Sequence, residues 1–196
     1  MAQTPEQKVH SALKSLLASR LPKGRWLLQR IETSTGTGIP DNYFSLLNWG
    51  SMWIETKTVD YIVSHEQLNW AYQHALTGGL TYIVTRVSAA KTTIKHTPTT
   101  RPRAPSASSN IPTHTLTYPA LLNLYKMPAI PVDNGIVSYD QLTNTPQKKS
   151  QETLIFLAFD DRMRECSTLG SYLRKFNPDV LPVESWAQCI KSRPSQ

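Results

Sequence analysis

Apolar residues recur at three- and four-residue intervals through the first part of the chain, at Val9, Leu13, Leu16, Leu17 and Leu21. This spacing predicts an amphipathic helix over residues 4–21. Thr4 is placed to be its N-cap, Pro5 its first helical residue and Gln7 the capping-box partner. Pro22-Lys23-Gly24 ends it. Residues 25–33 then read as a strand, and a Thr/Ser/Gly-rich loop runs to Gly38. Residues 41–47 and 52–59 read as two strands joined by the turn chemistry of Asn48-Trp49-Gly50. In the second of these, Trp53, Glu55 and Lys57 fall on one face, and Met52, Ile54 and Thr56 on the other. Helical spacing returns after Ser64, with Leu68, Ala71, Tyr72, Ala75 and Leu76 as the stripe and Gly78-Gly79 as the close. Residues 80–87 are β-branched and aromatic, as in a buried strand.

The second half is less regular. Residues 97–113 are rich in Pro, Ser, Thr and Arg and read as a flexible basic loop or linker. Residues 154–159 form a short apolar strand. Asp160 is placed to cap a helix running to about Lys175, and a last helix is expected over residues 182–190. The fold class predicted is α/β, a mixed central sheet flanked by helices. Residues 1–96 would be its core. Residues 114–196 would either complete that core or form a small cap.

With 196 residues, 39% of them hydrophobic, the chain is long enough for one domain with a core. No apolar run is long enough to cross a bilayer, and no signal peptide is read at the N-terminus. The expectation is a cytoplasmic protein with no membrane partner. Cys166 and Cys189 stand outside any C-x-x-C pair or zinc spacing, which favours free thiols over a disulfide. The formal net charge of +7 favours a polyanionic partner. No Asp or Glu lies between Glu66 and Asp133, a stretch that holds Arg86, Lys91, Lys95, Arg101, Arg103 and Lys126. It reads either as a solvated basic loop or as an arm contacting phosphates.

The candidate chemistry lies in Gly38-Ile39-Pro40-Asp41 and Trp53-Ile54-Glu55-Thr56-Lys57. Two carboxylates and an amine on one rim can hold a hard cation and a water beside a phosphate. Each residue also has a plainer reading. Asp41 suits a turn after proline. Glu55 and Lys57 suit a solvated strand face with a cross-strand ion pair. Gln67 completes a capping box with Ser64. Glu6, in a first helical turn, complements the helix dipole. Glu32, near the end of the first strand, is a weaker acidic candidate. Trp49, Trp53 and Trp70 suit packing better than base stacking, while Tyr43 shares its strand face with Asp41. His65-Glu66 lacks the second histidine of a zinc protease, and no phosphate-binding Gly-Lys-Ser/Thr occurs.

Taken together, Thr37-Gly38-Ile39-Pro40-Asp41, Trp53-Ile54-Glu55-Thr56-Lys57, Gln67-Leu68-Asn69-Trp70 and Gly78-Gly79-Leu80 resemble the PD-(D/E)XK nuclease superfamily. The likeness is greatest to its VRR-NUC branch and to phage and archaeal Holliday-junction resolvases, and it covers residues 1 to about 90. It implies a restriction-endonuclease-like core and a DNA endonuclease, plausibly phage-encoded and acting in the host cytoplasm. Cleavage would use a metal-activated water, leave a 5′-phosphate and favour branched DNA. Asp41 and Glu55 would ligate Mg²⁺, with Mn²⁺ as a substitute. The Thr56 backbone carbonyl and Glu6 would complete the ligand set. Lys57 would orient or deprotonate the water, and its pKa beside a metal would be lowered. Gln67 would touch the site. Arg86, Lys91, Lys95, Arg101 and Arg103 would contact DNA. A homodimer would follow if two nearby strands are cut. Two other functions remain open at this point: a sequence-specific restriction or homing-type nuclease, and a non-cleaving nucleic-acid-binding factor.

Overall fold

The computed structural model describes residues 3–31, 38–88, 136–144 and 152–191. Helix α1 (Pro5–Arg20) begins with the predicted capping box. The Gln7 N–H donates to Thr4 Oγ1 at 3.3 Å, and the Thr4 N–H donates to Gln7 Oε1 at 2.8 Å. Strands β1 (Trp26–Arg30), β2 (Asn42–Leu46) and β3 (Gly50–Thr56) follow as an antiparallel meander. Asn48, at φ 64°, turns the β2–β3 hairpin. Helix α2 (His65–Leu76) then crosses over, so that β4 (Thr81–Ser88) lies parallel to β3 with Ile83 beside Glu55.

Strand β5 (Val137–Ser138) and helix α3 (Tyr139–Asn144) come next. They are followed by β6 (Glu152–Ala158), a 3₁₀ turn (Asp161–Glu165), α4 (Leu169–Phe176), β7 (Asp179–Pro182) and α5 (Val183–Lys191). The seven strands form one mixed sheet in the order β1-β2-β3-β4-β6-β7-β5. The described part of the second half therefore extends the sheet that the first half begins, through β6 paired antiparallel to β4.

Alternation along the strands builds two cores. Leu28, Phe44, Met52, Ile54, Val84 and Phe156 pack against Val9, Leu13 and Leu17 of α1 and Val183 and Trp186 of α5. On the opposite face, Ile83, Ile155 and Leu157 pack against Leu68 and Ala71 of α2 and Leu169 and Leu173 of α4. Trp49 joins the first core, edge-on to Phe44 and Trp186. The cover is uneven at the β1 end of the sheet. Leu28, Phe44 and Ile54 are buried under α1 and α5, whereas Leu27, Gln29, Tyr43, Ser45 and Trp53 on the other side keep some exposure.

Several boundaries differ from the sequence reading. Strand β3 stops at Thr56; the Lys57 N–H still donates to the Val84 carbonyl of β4 at 3.1 Å, and Thr58 and Val59 leave the sheet. The chain is drawn off because the Val59 and Tyr61 carbonyls accept from the Gly170 and Leu169 N–H groups at the start of α4, each at 2.8 Å. Leu76, expected in the buried stripe, is 55% exposed because α2 ends there, past the edge of the core. The single helix expected after Asp160 is two. Asp160 caps the 3₁₀ turn, the chain is extended at Cys166, and Thr168 opens α4 with its own capping box. Cys166 is a free thiol. The Cys189 side chain lies outside the described residues, as do Glu32, the Ser/Thr loop before Gly38 and the segment 97–113. No described helix is long and apolar enough to cross a membrane.

Candidate functional site

Glu55 is the centre of the predicted constellation, and it has no exposed surface. Alternation along β3 turns it towards α2, on the face where Trp53 sits two residues earlier. A carboxylate buried there needs partners, and it has three. The Lys57 ammonium lies 2.9 Å from Oε1. Gln67 Nε2 donates to the same oxygen at 2.7 Å, and the Asp41 N–H donates to Oε2 at 3.2 Å. Three separate parts of the chain thus converge on one side chain.

Gln67 serves both roles that its position allows. Its Oε1 accepts from the Ser64 N–H at 3.0 Å, closing the α2 capping box, while its Nε2 reaches Glu55. Gly38 explains the glycine ahead of Pro40-Asp41. It has φ +85°, and a Cβ there would run into the backbone of Glu66 and Gln67. The segment leading into Asp41 is therefore seated directly on the first turn of α2.

Asp41 and Glu6 complete the acidic set. The Thr56 hydroxyl donates to Asp41 Oδ2 at 3.4 Å. Glu6 Oε1 is 3.9 Å from the Lys57 ammonium, so its link to the site runs through the lysine. Burial pushes Glu55 up to about 7, and the Asp41 charge adds to this against the opposing pull of Lys57. For Lys57, burial acts downward, but Glu55, Glu6 and Asp41 outweigh it and the net shift is upward. The three carboxylates together keep the ammonium charged.

Asp41, Glu55, Thr56, Lys57, Gln67 and Glu6 are thus gathered in one place. Among the described residues, no group of three or more His, Cys, Asp and Glu side chains is placed to hold a metal ion. A cation here would rest on a pair of carboxylates completed by water. That suits Mg²⁺, which keeps several waters and needs only one or two carboxylates. The upward push of Asp41 on Glu55 marks the spot as one that favours added positive charge.

The basic arm is not gathered there. Arg86 lies within β4 and pairs with Glu152 of β6, its neighbour but one in the ladder, where Ser88 stands opposite Glu152. It is a strand residue with an acidic partner, not part of a free loop. Lys91, Lys95, Arg101, Arg103 and Lys126 lie outside the described residues. Tyr43 and Trp53 stand edge to face at 5.6 Å, and Trp53 and Trp70 at 5.5 Å.

Two polar residues next to the site were not singled out from sequence. Asn42 is fully buried beneath α1, donating to the Ile54 carbonyl at 3.2 Å. His10 of α1 lies against it. Burial lowers the His10 pKa, and the Asn42 amide works in the other direction. A signal was present: Asn42 falls in the same alternation as Phe44 and Leu46, where an apolar residue is the rule. No protein-family model, curated protein or solved structure matches the chain.

Proposed function

We propose that the protein is a metal-dependent DNA endonuclease of the PD-(D/E)XK type, acting on branched or flapped DNA. The observation that carries the reading is the fully buried Glu55, held by Lys57, Gln67 and the Asp41 backbone. A buried carboxylate that shares its surroundings with a second acid is costly as a purely structural device, since an apolar residue would serve the core better. Its presence is accounted for if the pair handles a cation. The α1-β1-β2-β3-α2-β4 run is read, on the same grounds, as a restriction-endonuclease-like core.

Asp41 and Glu55 would hold Mg²⁺ or Mn²⁺. When bound, the ion supplies positive charge to the phosphate and lowers the pKa of a nearby water. Gln67 keeps Glu55 in one rotamer, and the Asp41 N–H keeps its second oxygen turned towards Asp41. Lys57 holds a proton at Nζ, offsets charge that develops on the phosphoryl oxygens and gives the water a partner. Glu6 restrains that ammonium from the α1 side. The positive charge of the chain as a whole, +7, favours approach of DNA.

The test is a panel of labelled substrates (four-way junction, flap, single strand and linear duplex) incubated with the protein in Mg²⁺ or Mn²⁺, beside Asp41→Ala and Lys57→Ala. Cleavage by the wild type that both variants lose supports the reading. Salt-dependent binding that Asp41→Ala leaves intact, with no cleavage in either metal, overturns it in favour of a nucleic-acid-binding factor.

A further inference from the structure

Asn42 puts an amide where the strand alternation calls for an apolar side chain. It is 0% exposed, in a column otherwise filled by Phe44 and Leu46, and its Oδ1 finds no hydrogen-bond partner. Nδ1 of His10, on α1, is likewise buried without a partner at hydrogen-bond distance, although the Asn42 amide lies close enough to raise its pKa. An unsatisfied amide in an apolar layer is costly, and leucine has almost the same size. What the amide does reach is informative. Besides the Ile54 carbonyl, Nδ2 points at Thr56 Oγ1 at 3.5 Å, and that hydroxyl in turn donates to Asp41 Oδ2 at 3.4 Å. Thr56 is itself 3% exposed. It accepts from Asn42, and since an ionised carboxylate only accepts, it is the hydroxyl proton that faces Asp41. Both contacts are long, as is common before a ligand draws a site together.

We propose that Asn42 and Thr56 are positioning residues that orient the Asp41 carboxylate for its cation, Asn42 acting through the Thr56 hydroxyl. The proposal rests on the nuclease reading above and adds to it a side-chain role for Thr56. The two residues approach Asp41 from the side of the sheet opposite Gln67, whose contact is with Glu55. Each acid therefore has its own support, from a different layer of the fold. Such outer partners of ligating carboxylates commonly change metal affinity by about 10- to 100-fold when removed.

The experiment measures Mn²⁺ binding by the full-length protein, from the electron paramagnetic resonance signal of the free ion, together with junction cleavage and thermal melting. The variants are Thr56→Val, Thr56→Ser and Asn42→Leu. The expected result is Mn²⁺ binding weakened by about tenfold or more in Thr56→Val and Asn42→Leu, and restored in Thr56→Ser. Melting temperature reports separately what Asn42→Leu does to the packing beneath α1, where the amide also meets His10 and the Ile54 carbonyl. A residue with only a structural role would lower stability and leave metal affinity alone. Wild-type binding and cleavage matched by equal Mn²⁺ affinity in Thr56→Val overturns the positioning role and leaves the nuclease reading standing. A wild type that neither binds Mn²⁺ nor cleaves overturns both.

Discussion

Glu55 and Asp160 are both buried carboxylates of the same sheet, one within β3 and one just past β6, and their charges are balanced differently. Asp160 accepts from the Arg162 N–H at 2.9 Å, from Arg162 Nε at 2.7 Å and from the Tyr172 hydroxyl at 2.7 Å. A single guanidinium faces a single acid. Burial and the Asp160 charge push the Tyr172 hydroxyl far up, so it stays a donor at any ordinary pH. This cluster joins the 3₁₀ turn to α4 and is complete. Glu55 takes Lys57 and Gln67 at matching positions along the chain, but it adds the Asp41 N–H and sits beside a second acid, while Glu6 competes for the same ammonium. The difference separates a carboxylate matched by its own cation from one that shares its cation with other acids and is pushed up by burial.

The largest expected effect tests that distinction directly. Glu55→Gln should reduce cleavage by about three orders of magnitude or more, since several kcal/mol of charge stabilisation at the phosphate are lost with the ligand. Asp160→Asn should leave the rate per folded molecule unchanged. Equal losses in the two variants would erase the comparison.

The next effect concerns pH. The folded pKa of Glu55, about 7, lies above its ordinary value of 4.5. For an acid raised on folding, the stabilising contribution is full below about 4.5 and is lost as pH climbs through 7. In EDTA, wild type should lose roughly 3 kcal/mol across this window relative to Glu55→Gln, at about 1.4 kcal/mol per pH unit. Urea denaturation of both proteins at pH 4.5 and 8 measures it, and parallel curves would contradict it.

Smaller again is the stability cost of Asp160→Asn. Breaking a buried pair costs about 3–5 kcal/mol, but Arg162 is partly exposed, so about 2–3 kcal/mol is expected, or a fall in Tm of roughly 5–10 °C. Last comes Arg86→Ala. Both Arg86 and Glu152 are substantially exposed, and their separation should cost about 0.5 kcal/mol or less by the same denaturation assay. A nucleic-acid-binding role for Arg86 would instead appear as weaker DNA binding at unchanged stability.

The parts of this molecule that were legible in the sequence are those that depend on near neighbours. The capping boxes of α1 and α2, the β2–β3 hairpin and the alternation that sends Glu55 and Thr56 to opposite faces are all set within a few residues. The same holds for the pairing of Glu55 with Lys57, two positions apart. What escaped was decided across the fold. Arg86 reads as one more member of a basic run until Glu152, 66 positions on, is brought beside it. Thr58 and Val59 read as strand until the N–H groups that open α4 capture the carbonyls of Val59 and Tyr61. The break at Cys166 lay hidden because Asp160 and Thr168 are both good caps, and the nearer one implied a single helix. Asn42 interrupts an apolar alternation within a strand, which by itself does not say what the amide meets. Its burial depends on α1, far earlier in the chain.

One feature of Gln67 reaches beyond the chemistry. The same amide that begins α2 also grips Glu55, so the first helical turn and the acid share a tether. Any ligand that draws Glu55 away removes that anchor and leaves the turn held by its capping box and the backbone alone. Hydrogen exchange at the Gln67 and Leu68 amides would then quicken, turning the start of a helix into a built-in gauge of site occupancy.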